Sequence, residues 1–341
     1  MSLKSSDHRS RRSFLYQAAL GSLALAVPEK LLLAGNGGLL LSRPDSLIKG
    51  VQIGAITYSF RSLPGHPDQV LQYCVDSGIS AIELMGDSVE DYAGKPANPV
   101  KFPPRVPGAP RVELTDEQKS QLKQYQQQVA SWRETVSMDA FEALRKKYHA
   151  AGVTIYAFKP NALNPENTDG EIGYAMRAAK ALGARSVTLE LPTNPAHSKR
   201  LGELGEKHKM YVGYHAHMQA TDTAWDVALG QSPYNSMNLD CGHYIAAGEH
   251  NTKESLLALI ESKHERITSL HLKDRKSKIN GGKNMPWGEG DTPLKEILGL
   301  LRDKKYKIPA SIELEYDIPA GSDAVKEVKK CLEYVRGLLM A

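Results

Sequence analysis

The stretch that decides the fold is Met237-Asn238-Leu239-Asp240-Cys241-Gly242-His243. It has the pattern of a short apolar strand that runs into a glycine-containing turn. A carboxylate, Asp240, takes the last strand position, and an imidazole, His243, follows three residues later. Because barrel enzymes carry their active sites at the carboxyl ends of the strands, the stretch predicts a functional strand end if the rest of the chain supplies a barrel.

From residue 49 onward, short apolar or β-branched runs alternate with amphipathic segments, the pattern of βα units around a parallel sheet. The predicted strands are 51–57, 80–84, 153–158, 186–191, 210–215, 236–239, 267–272 and 310–314. The predicted helices between and after them include 68–77, 139–151, 171–182, 198–209, 253–262, 294–303 and 322–339. This succession predicts an α/β protein with a (β/α)8 TIM barrel. A doubly wound open sheet is the alternative, but no Gly-x-Gly-x-x-Gly turn follows the first strand.

One connection, about residues 86–137, is much longer than the others. It begins with a segment rich in proline and glycine and continues into a polar helix predicted over 115–134, where Thr115 and Gln118 resemble a capping box. Since the insertion leaves the carboxyl end of the second strand, it is predicted to form a partial lid or a contact in a homo-oligomer. Surface decoration without a function is the alternative.

The N-terminus has the features of an export signal. Arg11 and Arg12 precede an apolar run over 16–27, as in twin-arginine signals. The run is shorter than the roughly 20 apolar residues that span a membrane. We therefore predict a signal peptide over 1–26, a linker over 27–48, a barrel over 49–341 and a periplasmic location with no stable membrane span in the mature form. A retained anchor and a fortuitous basic tail are the alternatives.

Composition limits the class of partner. The chain of 341 residues is 41% hydrophobic and 24% charged, with a formal net charge of +4. Four basic residues and one acidic residue lie in the first 26 positions, so the remainder is close to neutral and offers no electrostatic basis for binding nucleic acid. Three scattered cysteines are too few for a disulfide framework or a thiolate zinc site, and they are predicted to be small buried hydrophobic residues.

Four predicted strands carry a charged or imidazole side chain at their ends: Glu190, Asp240, His271 and Glu313. Such residues in apolar strands are costly unless they are paired or bound to a metal. Three carboxylates and one imidazole suit a divalent metal, with Mn or Mg favoured and Co, Fe or Zn as further candidates. A satisfied polar layer at the barrel mouth is the alternative.

Further side chains at the same end of the predicted barrel are candidate substrate contacts. His215 and His217 are two residues apart, so they point to one side if the strand stays extended, and a direct metal ligand is the alternative role. The remaining strand-end candidates, for which barrel-mouth salt bridges are the alternative, are Tyr58, Glu83, Lys159 and Lys273.

The loop over 281–291 is rich in glycine and carries Trp287 and Glu289. An aromatic plane beside a carboxylate suits a loop that folds over a sugar ring, so both residues are predicted to bind substrate. A phosphate cradle is the alternative, and it is disfavoured because the loop is acidic near its end and lacks the Gly-Lys-Ser/Thr of a P-loop.

Taken together, these residues resemble the xylose isomerase-like barrel superfamily, in particular its sugar isomerase and epimerase branch, which includes ketose 3-epimerases and inosose dehydratases. The resemblance covers about residues 49–338. The motifs that carry it are Ser59-Phe60, Ile82-Glu83, the strand ending in Glu190, Tyr214-His215-x-His217, Asp240-x-x-His243, His271-x-Lys273-Asp274, Trp287-Gly288-x-Gly290 and Ile312-Glu313.

The resemblance implies specific roles. The implied metal ligands are Glu190, Asp240, His271 and Glu313. Glu190 and Glu313 would also serve as the catalytic acid and base, and His243 would contact substrate. The ketose epimerases carry a substrate-binding arginine some six residues after the metal-binding histidine. Here Ser277 takes that place with Arg275 nearby, so a simple ketose is not implied as the substrate.

The sequence thus predicts a divalent-metal-dependent sugar isomerase or epimerase that transfers a proton through an enediolate on a non-phosphorylated carbohydrate. A lyase or dehydratase that uses the same enediolate on a 3-keto-glycoside or an inosose-like substrate is the alternative. A non-catalytic carbohydrate-binding barrel is a third. The superfamily also contains abasic-site endonucleases, which need a basic DNA-binding face that a near-neutral protein lacks.

Overall fold

The computed structural model describes residues 43–102, 113–248 and 250–341. Eight strands pair in parallel and close on themselves, since the first strand lies beside both the second and the eighth. The barrel strands, numbered in chain order, are β1 Val51–Ile56, β2 Ala81–Met85, β3 Thr154–Lys159, β4 Ser186–Glu190, β5 Tyr211–His215, β6 Asn235–Asp240, β7 Ile267–Leu272 and β8 Ala310–Ile312. The predicted (β/α)8 TIM barrel is confirmed.

Helices surround the barrel. They are α1 Pro67–Ser77, α2 Gly86–Tyr92, α3 Asp116–Thr135, α4 Asp139–Ala150, α5 Asp169–Leu182, α6 Pro195–His208, α7 Asp226–Gln231, α8 Cys241–Ala247, α9 Lys253–Lys263, α10 Leu294–Asp303 and α11 Ala324–Met340. Short 3-10 turns occupy Thr57–Phe60, His264–Arg266 and Lys278–Asn280. All three cysteines are buried, as predicted. Within the described residues, every helix is too short or too polar to cross a bilayer.

Two helices, α5 and α6, begin more than one residue earlier than predicted because their caps precede the apolar pattern. Thr168 accepts a hydrogen bond from the backbone N–H of Glu171, whose side chain returns one to the backbone of Thr168, so α5 starts at Asp169 rather than at 171. Asn194 caps α6, and Pro195 takes its first position, where the missing N–H costs nothing.

The barrel unit begins at Arg43, six residues before the predicted start at 49. Ser46 is fully buried, and its hydroxyl donates a 2.6 Å hydrogen bond to the carbonyl of Ile53. The strand Leu47–Ile48 pairs antiparallel with the start of β1. Residues 43–48, predicted as linker, therefore belong to the barrel unit. The predicted signal peptide (1–26) and the rest of the predicted linker (27–42) lie outside the described residues.

The long insertion after β2 contains the predicted polar helix as α3. Thr115 and Gln118 form the predicted capping box. Near the other end of α3, the buried guanidinium of Arg133 pairs with Glu90 of α2 and Glu171 of α5, each at 3.0 Å. The pair with Glu90 joins the two helices of the insertion, and the pair with Glu171 fastens the insertion to α5 of the outer helix layer. Its middle, 103–112, lies outside the described residues, and a role as lid or oligomer contact stays a prediction.

Candidate metal centre and active site

The floor of the barrel mouth is the fully buried carboxylate of Glu83, on β2. Thr188 on β4 donates a 2.6 Å hydrogen bond to Glu83 Oε1, and Asn238 on β6 donates one of 3.1 Å to the same atom. The other oxygen, Oε2, lies 2.8 Å from His271 Nε2 on β7. Glu83 is thus held from two strands and in turn orients His271. The predicted contact between Glu83 and substrate stays a prediction.

His271 lies between two carboxylates. Its Nε2 faces Glu83, and its Nδ1 lies 2.9 Å from Glu313 Oε2. Burial disfavours the imidazolium, but the charges of Glu83 and Glu313 outweigh it and raise the pKa of His271 to about 10. Because Glu83 fixes one ring nitrogen, Nδ1 is the nitrogen directed toward Glu313 and the centre of the site.

Lys273 supplies an internal cation at this centre. Its buried Nζ lies 3.0 Å from Asp240 Oδ2 and 2.8 Å from both Glu313 Oε2 and Glu315 Oε2. Although burial opposes both charged forms, the carboxylates raise the pKa of Lys273, while Lys273 and His271 hold the pKa of Glu313 well below its usual range. The predicted ligands Asp240 and Glu313 are therefore arranged around a positive charge.

Four buried side chains bring ligand atoms within 4.8 Å of one another: His215, Asp240, His271 and Glu313. Asp240 Oδ2 and His215 Nδ1 are buried and make no hydrogen bond to the described residues, the Lys273 ammonium lying close to Oδ2 without hydrogen-bond geometry. Burial, and then the charge of His271, hold the pKa of His215 well below its usual range, so this imidazole is neutral and can act as a ligand. The set offers two carboxylates and two imidazoles, and two of these four groups have a buried atom without a hydrogen-bond partner. Such a set of side chains fits a divalent metal.

Glu190 lies beside this set and not within it. It is the register partner of His215 on the neighbouring strand, but its carboxylate is half exposed. Glu190 Oε1 pairs with Lys159 Nζ at 2.9 Å, and Oε2 lies 3.3 Å from His217 Nδ1. The structure thus brings together three of the four predicted ligands and adds His215. The predicted roles of Glu190 as metal ligand and catalytic group stay predictions.

His243 and His217 form a second layer above the metal-ligating candidates. The ring centroid of His243 lies 4.5 Å from that of His217 and 5.9 Å from that of His215. The backbone N–H of His243 donates to Asp240 Oδ1 at 2.6 Å, which caps α8 and fixes the spacing between carboxylate and imidazole. Burial is the main reason that the pKa of His243 falls to about 3.

The glycine-rich loop folds around Asp274. Its Oδ2 accepts hydrogen bonds from the backbone N–H groups of Gly288 and Gly290, at 2.8 and 2.9 Å. A Cβ at position 290 would collide with this carboxylate, so glycine is required there. The indole of Trp287 packs edge-on against Tyr334, with centroids 6.3 Å apart, and Glu289 is exposed.

Two flanking features complete the mouth. The ring of Tyr58, in the turn after β1, lies 4.5 Å from the guanidinium of Arg61 and is partly exposed. A cavity of about 390 Å³ opens beside the ends of β3 and β4, with Lys159 and Glu190 in its wall. The same wall carries Asn161, Asn164 and Thr193. Substrate contacts by Tyr58, Trp287, Glu289 and Lys159 stay predictions.

Sequence reasoning did not assign a role to Thr188, Asn238 or Glu315. Thr188 lies two residues before Glu190, and Asn238 two before Asp240, so strand periodicity directs each pair toward the same side. This alternation along each strand could have predicted that Thr188 and Asn238 face the site, where they bind Glu83. Glu315 follows the end of β8, where its contact with Lys273 depends on loop geometry that periodicity does not give.

Among proteins with curated functions, none matches the chain. Solved structures that share the fold include the following three. D-psicose 3-epimerase from Clostridium cellulolyticum H10 is 13% identical over 85% of this chain and 99% of its own, with a TM-score of 0.56. The 3-keto-D-glucoside 4-epimerase YcjR from E. coli is 12% identical over 84% of this chain and 99% of its own, with a TM-score of 0.54. The "probable 3-DHS dehydratase AsbF" from Bacillus anthracis is 16% identical over 83% and 98%, with a TM-score of 0.55.

At these identities the likeness shows the fold alone. The family assignment comes from a separate comparison, in which the family model for the xylose isomerase-like TIM barrel matches residues 108–336, about two thirds of the chain. The chain therefore belongs to the xylose isomerase-like TIM-barrel family.

Proposed function

We propose that the protein is a divalent-metal-dependent isomerase or epimerase that moves a proton beside a carbonyl group of a non-phosphorylated sugar or sugar derivative. The observation that carries the proposal is the buried convergence of His215, Asp240, His271 and Glu313 at the barrel mouth. The chain belongs to the xylose isomerase-like TIM-barrel family, and two structures that share the fold are epimerases by name.

The proposed ligands are Asp240, His271 and Glu313, with His215 completing the set. Glu190 could join them only by leaving Lys159 and His217. A bound divalent ion would polarise a carbonyl group and stabilise negative charge on oxygen. The second imidazole favours Mn, Fe, Co or Zn over Mg, which prefers oxygen ligands.

Two carboxylates are the proposed acid and base. Glu313 Oε2 and a carboxylate oxygen of Glu190 would exchange a proton with the carbon beside the carbonyl, one removing it and the other returning it. Lys273 and His271 favour the ionised form of Glu313, and Lys159 pairs with Glu190. Glu313 is thereby supplied as the carboxylate that a general base needs. Glu190 would give its own proton to the opposite face of the carbon, and proton exchange with solvent would then restore both groups.

A lyase or dehydratase is the second candidate, and the cavity beside β3 and β4 favours it. Its volume of about 390 Å³ lies within the range of small-molecule pockets, and its wall includes Glu190. A substrate that carries a second group beyond the reacting ring could place that group there. If the group lies β to the carbonyl, the enediolate can expel it.

Location bears on the substrate. We propose that residues 1–26, with Arg11 and Arg12, direct export by the twin-arginine route. Free glycosides are met outside the cytoplasm, whereas phosphorylated sugars are mostly inside. Fractionation of cells that express the chain with and without Arg11→Lys and Arg12→Lys tests this, since retention of both forms in the cytoplasm would refute export.

The proposed reaction is tested by incubating the Mn-loaded protein in D2O with D-fructose, D-psicose and a 3-keto-glucoside, followed by NMR. Deuterium at the α carbon without loss of a group supports the epimerase, and release of the aglycone supports the lyase. Glu313→Gln and Glu190→Gln should abolish the exchange, and Glu254→Gln, at an exposed position of α9, is the matched control. Full exchange in both active-site variants would refute the proposed acid and base.

A further inference from the structure

Three imidazoles lie together at the barrel mouth, and their arrangement allows two interpretations. His215, His217 and His243 offer nitrogen atoms that lie within 4.8 Å of one another. Three neutral imidazoles are the ligand set of many catalytic zinc sites, so a second metal site is one interpretation. A hydrogen-bonding surface for substrate is the other. The partner of His243 decides between them.

That partner is Arg275. Its Nη1 donates a 2.6 Å hydrogen bond to His243 Nδ1. A guanidinium is always protonated in proteins and has donors only, so His243 Nδ1 must be the acceptor. A neutral imidazole with an acceptor at Nδ1 carries its proton on Nε2. His243 then has no lone pair left on Nε2 for a metal.

Arg275 is itself held in place by the glycine-rich loop. Its Nε donates to the carbonyl oxygen of Gly282 at 3.0 Å. Its backbone N–H donates to Thr292 Oγ1 at 3.1 Å, and its carbonyl accepts from the N–H of Asp291 at 2.7 Å. With backbone and side chain both bound, the guanidinium is fixed at the edge of the His243 ring.

We propose that Arg275 is a positioning residue that fixes His243 as a neutral hydrogen-bond donor through Nε2, so that His243 recognises a ligand oxygen and is not a metal ligand. The inference rests on the proposed function only in naming that oxygen as one of a sugar. It also connects the glycine-rich loop to the site, because Arg275 bridges Gly282 and His243.

The residue that orients His243 is thus Arg275, and Ser277 has a different role. Ser277 donates through its hydroxyl and its backbone N–H to Asp291 Oδ2, at 2.9 and 2.8 Å. It takes part in the internal bonding of the loop. Arg275 does not contact the ligand itself in this arrangement. It binds His243, and His243 offers the ligand a hydrogen-bond donor.

The tautomer is measurable without any substrate. The chain contains 11 histidines, so selective 15N-histidine labelling with long-range 1H–15N correlation resolves the rings, and His243→Asn assigns the signal. We expect Nδ1 of His243 to show the shift of an unprotonated nitrogen and Nε2 that of a protonated one. The pattern should persist after saturation with Zn²⁺. A protonated Nδ1, with or without Zn²⁺, would overturn the proposal.

Variants at position 275 test the cause. Arg275→Met removes the donor, and we expect the Nδ1 shift to move toward the protonated value as the other tautomer becomes populated. Arg275→Lys keeps a donor and should restore the wild-type pattern. Arg145→Met, at an exposed position of α4, is the matched control. If Arg275→Met leaves both shifts unchanged, Arg275 does not set the tautomer. Because no turnover is measured, failure here is distinct from failure of the proposed reaction.

Discussion

Replacing Lys273 by Met removes the ammonium group that lies 2.8 Å from Glu313, 2.8 Å from Glu315 and 3.0 Å from Asp240. At an effective dielectric constant near 20, two unit charges about 4 Å apart interact by about 4 kcal/mol. Removing one partner of a buried pair typically costs about 3–5 kcal/mol, because the remaining charge stays buried without compensation. We expect the metal-free variant to lose a free energy of unfolding in this range.

The same change should strengthen metal binding. The Lys273 ammonium opposes a divalent ion at Asp240 and Glu313, so its removal should tighten binding at least about tenfold, or about 1.4 kcal/mol. Binding of Mn²⁺ is measured by competition with a chelator, and urea unfolding with and without Mn²⁺ gives the stability. Added metal should then recover more stability in Lys273→Met than in the wild type.

Lys329→Met, at an exposed position of α11, is the control and should change neither quantity. The reasoning is refuted if Lys273→Met binds Mn²⁺ no more tightly than the wild type while the metal-free variant keeps its stability. Those results would mean that the ammonium does not occupy the centre of the carboxylate set in solution.

Two further predictions concern the supports of the site. Arg133→Met breaks the buried pairs with Glu90 and Glu171 and should lower the free energy of unfolding by about 3–5 kcal/mol, measured by urea denaturation; a loss below about 1 kcal/mol would contradict the buried pairing. Gly290→Ala should force the loop away from Asp274 and speed hydrogen exchange at the N–H of Gly288, which donates to that carboxylate. Unchanged protection would contradict the required glycine.

The barrel could be predicted from sequence because its signals are local. Alternating apolar runs and amphipathic segments gave all eight strands, and cap residues account for most differences at helix starts. Residues 43–48 were different, since their place depends on a hydrogen bond from Ser46 to Ile53 and on pairing with β1. A segment that follows glycine and proline has the composition of a linker whether or not such distant partners exist.

The candidate site could be predicted in part. Periodicity and strand ends identified Asp240, His271 and Glu313. The sequence could not show whether Glu190 or His215 joins these three residues. The two are register partners on adjacent strands, and they differ only in which side chains they contact. Lys159 draws Glu190 outward, whereas His215 is buried and neutral. Such pairing is a property of the assembled mouth and not of either strand.

The most direct test of the account is the position of a bound metal ion. Anomalous diffraction from crystals soaked in Zn²⁺ should show one strong peak about 2.0–2.2 Å from ligand atoms of Asp240, His271 and Glu313. The same map shows whether His215 or Glu190 supplies the fourth ligand. The account predicts that this peak disappears in Asp240→Asn. No peak, or a peak away from these three residues, would contradict it.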